Sequence, residues 1–121
     1  MLKIRLYGTT SAGGDLTIGG TGSNFAEALG LLYAAQLVDG ALADGVDITI
    51  TCENSDMAIP LLVKADFNSD QITFPRVAEA SIADGSALTS TTMPVVNGIP
   101  KMVIAQDGNA VAGGCILYIL D

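Results

Sequence analysis

The sequence predicts an all-β fold, a single-domain antiparallel β-sandwich or barrel of about seven to eight strands, spanning residues 1–121. Three observations predict it. "VDITITCE" (46–53) alternates apolar and polar residues without a break, the period of a strand with one buried face. Turn signals built from Gly, Asn, Asp and Ser recur about every 8 to 15 residues, as they do in sandwiches and barrels. Half of the residues are hydrophobic and 15% are charged, and the apolar half is mostly Ala, Val, Ile and Leu with no Trp. Such a chain can bury a core without staples and lies far from the composition of disordered proteins.

Taken in order, "KIRLY" (3–7) alternates basic and apolar residues and predicts an edge strand with one wet face. Residues 8–24 hold six glycines among Ser, Thr and Asn, so they predict a flexible loop with a short strand at Leu16–Ile18. Asn24 and Glu27 have the spacing of a capping box, which predicts a short helical turn near 24–29. Gly30 interrupts that pattern, and a strand is expected near 31–38, ending at Asp39-Gly40. "VDITITCE" places Val46, Ile48, Ile50 and Cys52 on one face, with Asp47, Thr49, Thr51 and Glu53 on the other. "IPLLVKADF" and "QITFPRV", separated by Asn68-Ser69-Asp70, are expected to form a hairpin, Pro75 marking an edge or bulge. "TSTTMPVVNG", "PKMVIAQ" and "GGCILYIL" follow, the last two joined across Asp107-Gly108-Asn109.

Charge and composition exclude several classes of function. Five basic residues against thirteen acidic ones give a net charge of -8, and Lys3, Arg5, Lys64, Arg76 and Lys101 are scattered along the chain. Nucleic-acid binding needs clustered positive charge, so no direct contact with DNA or RNA is expected. The chain has no histidine, which removes Ser-His and Cys-His nucleophile pairs and the usual zinc sites. An enzyme is not expected, and no cofactor. Cys52 and Cys115 each sit in an apolar, strand-like run, where a free Cys behaves as a small buried hydrophobe. The first ten residues lack the pattern of a signal peptide, and no apolar run reaches the roughly 20 residues that cross a bilayer, so no membrane partner is expected.

Three stretches carry candidate ligands. Asp39, Asp44 and Asp47 offer oxygens of the kind calcium takes, but the two Asp-Gly pairs among them are turn dipeptides and Asp47 lies within the following strand, so a turn is expected. Asp66, Asn68 and Asp70 match the first half of a calcium loop, whereas Gln71 stands where Gly is required and Val77 where the bidentate Glu belongs. These three residues are the weak metal candidate of the chain. "GGTGSN" (19–24) lacks both the Lys of a phosphate loop and the third glycine of a dinucleotide turn.

Two longer stretches, "VDGALADGVDITIT…LLVKADFNSDQITFPRV" and "PVVNGIPKMVIAQDGNAVAGGCILYIL", resemble the small virion proteins encoded near the major capsid gene in many tailed bacteriophages. The shared pattern is a strand, an Asp-Gly turn, an "FPR" step and a Gly-rich final hairpin, over about residues 30–120. The resemblance carries no catalytic or ligand motif. It implies a non-enzymatic virion component assembled in the host cytoplasm, foremost a decoration (cement) protein on the assembled head. Its implied partners are the major capsid protein or neighbouring virion proteins and further copies of itself, a trimer being one form. A head-to-tail connector ring subunit is the alternative the same resemblance allows. A calcium-dependent ligand-binding module using Asp66, Asn68 and Asp70 is the third. The 8–24 loop and the 3–7 edge strand are the expected contact elements.

Overall fold

The computed structural model describes residues 1–55, 57–105 and 110–121. Among them the chain forms ten strands and no helix. These are β1 (Leu2–Thr9), β2 (Leu16–Gly19), β3 (Ala28–Val38), β4 (Val46–Glu53), β5 (Ala58–Phe67), β6 (Gln71–Thr73), β7 (Val77–Ala80), β8 (Ala87–Thr92), β9 (Val95–Ala105) and β10 (Ala112–Leu120). Eight of them make one antiparallel sheet in the order β1-β10-β3-β9-β4-β5, with β2 added on β9 and β6 on β3, while β7 and β8 pair only with each other.

The long strands β3 and β9 turn this sheet into two layers. β3 pairs with β9 through Ala28–Leu31, then with β6 through Ala35–Leu37. β9 pairs with β3 through Val95–Gly98, then with β4 and β2 beyond that point. One layer is therefore β1-β10-β3-β6 and the other β2-β9-β4-β5, hinged where the first halves of β3 and β9 meet. Gly98 sits at that switch with φ 141, and a side chain there would run into the Glu53 carbonyl. Only glycine fits so close an approach in that conformation.

The core fills the space between the layers. Leu6, Leu37, Cys115 and Leu117 of the first layer join Val46, Ile48, Ile50, Cys52, Phe67, Met102 and Ile104 of the second in one buried cluster. The strict alternation expected of 46–53 holds along all of β4. β1 is an edge strand, paired only with β10 among the described residues, and the short strand at Leu16 is present as β2. Cys52 and Cys115 are free thiols, both buried.

Three local expectations fail. No helical turn forms near 24–29. The Ser23 hydroxyl donates to the Gly20 carbonyl and accepts the Phe25 amide, closing a turn, and β3 starts at Ala28 because that residue and Leu32 belong to the core. β5 and β6 do not form a hairpin. β5 pairs with β4 and β6 with β3, so the chain crosses from one layer to the other between Phe67 and Gln71. β9 and β10 are not a hairpin either, since β10 lies between β1 and β3. The Asp107-Gly108-Asn109 turn lies outside the described residues. Within 8–24, β1 extends to Thr9, the expected short strand pairs with β9 as β2, and the Thr21 amide donates to Glu53 Oε1 at 3.1 Å.

Candidate functional site

The two acidic stretches that suggest a metal meet each other in space. The Gly45 amide donates to Asn68 Oδ1 and the Asp39 amide to Asp70 Oδ1, both at 2.7 Å. In the reverse direction, the Asp66 amide donates to Asp47 Oδ1 at 3.2 Å. Side-chain oxygens of each loop thus cap backbone N–H groups of the other, as Asx residues do in turns. The 39–45 connection is a turn, pinned further by the Ala41 amide donating to Ala112 O and by Leu42, which tucks into the core. Asp66 takes φ 52, a left-handed conformation that Asp tolerates better than most residues. Asn68 and Asp70 each use an oxygen on the neighbouring turn, and no cluster of three or more His, Cys, Asp or Glu able to hold a metal occurs among the described residues. The 19–24 glycines form a turn held on Glu53, whose other carboxylate oxygen pairs with Lys101 Nζ at 3.4 Å.

The buried thiols are held neutral. Burial pushes the Cys115 thiol up to about 12 and raises Cys52 as well, the Asn97 amide that donates to its sulfur pulling the other way. No pocket opens anywhere among the described residues.

What stands out is surface. Residues 77–92 form a hairpin, β7–β8, in which every residue but half-buried Ser81 is exposed. Its tip is closed by Ser81 N–H donating to Ser86 O and by Asp84, which accepts from the Ser86 hydroxyl and amide. Those bonds from Ser86 hold the Asp84 carboxyl below its usual range. The arm contributes nothing to the core cluster, and Ile82 at its tip is fully exposed at 104%.

At the arm's base, the Arg76 guanidinium donates to Tyr33 O, and the Tyr33 and Phe74 rings meet edge to face, their centroids 5.6 Å apart. From there an apolar stripe crosses the sheet. Val95 and Leu120 are both direct cross-strand partners of Leu31, so the three share one outer face, and all are exposed. Leu29, two residues along β3 on that face, is 71% exposed.

No family model, curated protein or solved structure matches the chain. The sequence alone predicts no element at 78–86. The available signal was the Asp84-Gly85 turn between runs of Ala, Ser and Thr, where the only large apolar residues are Val77, Ile82 and Leu88. That is a hairpin pattern without enough apolar mass to make a core face.

Proposed function

We propose that the protein is a non-enzymatic structural component of a tailed-phage particle, a decoration (cement) protein that binds the assembled head and neighbouring virion proteins. One observation carries this reading: the 77–92 arm is a two-stranded hairpin that pairs only with itself among the described residues and leaves every residue but Ser81 exposed. An isolated hairpin is marginal in water and gains stability by packing on something else. Edge strands and an apolar stripe on the same molecule add surface suited to a neighbour rather than to a small ligand. The resemblance of residues 30–120 to small virion proteins supports the particle. A protein that binds only the assembled shell stabilises it by its binding free energy, multiplied over many copies.

The test is the copy number relative to the major shell protein in purified particles, measured by quantitative mass spectrometry. An amount comparable to the shell protein is expected. An amount fitting a single ring would reassign the protein to a head-to-tail connector, and absence from particles would overturn both.

A further inference from the structure

We infer that the 77–92 arm docks on the β1 edge of a second copy of this chain, so that copies join head to tail by arm exchange. The inference concerns the chain by itself and stands or falls independently of the phage particle.

The choice of edge follows from the four strands of the eight-stranded sheet that have a single partner among the described residues, β1, β2, β5 and β6. β2 and β6 are 4 and 3 residues long, too short to anchor an arm. β5 is longer but contains Pro60, which has no N–H, and its pairing with β4 is broken by two register shifts. Proline and bulges are the devices that blunt an edge against pairing. β1 has neither. Its eight residues pair with β10 in unbroken register from Leu2 to Thr9, so its outer edge is regular, and Leu2, Lys3 and Arg5 are exposed.

Charge then selects the occupant. Two of the protein's five basic residues, Lys3 and Arg5, stand on the outer face of β1, Lys3 Nζ lying 5.4 Å from the Tyr118 ring centroid and Arg5 Cζ 4.6 Å from that of Tyr7. The arm carries Glu79 and Asp84 and no basic residue. Two β1 strands would bring like charges together, which disfavours symmetric edge-to-edge pairing, whereas an acidic arm is attracted. Donor and acceptor are different parts of the surface, so the contact is heterologous and generates a closed ring when its rotation closes. The stripe of Val95, Leu31 and Leu120 begins beside the arm's base at Val95 and ends at β10, the strand that pairs with β1. An arm lying along β1 therefore brings the neighbour's body against this apolar surface.

The test is sedimentation velocity on the purified full-length chain and on three variants: Lys3→Glu with Arg5→Glu, Glu79→Lys, and all three together. The expected result is an oligomer for the unaltered chain and an association weakened by on the order of tenfold in each of the first two variants. Recovery is expected in the combined variant, where the charges oppose again. Circular dichroism melting of each variant separates lost association from lost folding; these side chains are on the surface, so the folded state is expected to persist. A monomeric unaltered chain at high micromolar concentration would overturn the inference. So would an oligomer indifferent to both reversals, or a combined variant that folds but stays dissociated.

Discussion

At the scale of single residues, the constraints are steric and electrostatic. Gly98 marks the point where β9 leaves β3 and joins β4, at φ 141 and against the Glu53 carbonyl. Gly98→Ala is expected to destabilise the fold by about 2 kcal/mol or more, from strained backbone alone, and urea unfolding measures it. Cys115 gives a pH prediction with a definite sign. Its folded pKa, about 12, lies above its ordinary value of 9.0, so its contribution to stability is complete below pH 9 and is lost as pH rises toward 12. Between pH 8 and pH 11 the loss is on the order of 3 kcal/mol, and unfolding midpoints at those two pH values read it. A buried free Cys was legible from its setting in "GGCILYIL", because apolar neighbours at alternate positions place it inside. The need for Gly98 was not legible, because the atom that excludes a side chain comes from Glu53, far away in sequence.

At the scale of elements, local pattern and long-range pairing carried different amounts of information. β4 was legible residue by residue, since alternation alone decides which face is buried. The partner of β6 was not. Asn68, Ser69 and Asp70 have the chemistry of a hairpin turn, yet Phe67 anchors the end of β5 in the core, and the next strand finds its partner in β3 on the other layer. Asn68 and Asp70 serve the crossing by capping the 39–45 turn. Asp70→Ala should cost about 1 kcal/mol through loss of the bond from the Asp39 amide, and Asn68→Ala less, since the Gly45 amide also donates to Phe67 O at 3.2 Å; millimolar calcium should leave the melting temperature of the unaltered protein unchanged. A calcium-dependent rise would restore the metal reading of Asp66, Asn68 and Asp70. Phe67→Ala removes the largest fully buried side chain and is expected to cost about 3–5 kcal/mol, measurable in the same unfolding experiment.

At the scale of the whole molecule, the body and the arm differ in what holds them. The body shares one core across two layers, while the arm rests on its own β7–β8 pairing. In dilute, dissociated protein, amides of 77–92 should therefore exchange with solvent orders of magnitude faster than those of β4 and β9. Protection of the arm at high concentration would report its docking. The order of strands also bears on how the chain becomes folded at all. Among the described residues, only β4–β5 and β7–β8 join strands adjacent in sequence; β1 pairs with β10, and β2 with β9. During synthesis the first two strands have no partner in the sheet until the last two leave the ribosome. Such non-local closure belongs to the slow regime of milliseconds to seconds, against microseconds for a lone hairpin. The nascent chain thus carries unpaired edges until β9 and β10 emerge, which makes its yield in a cell sensitive to chaperones and to crowding by its own copies.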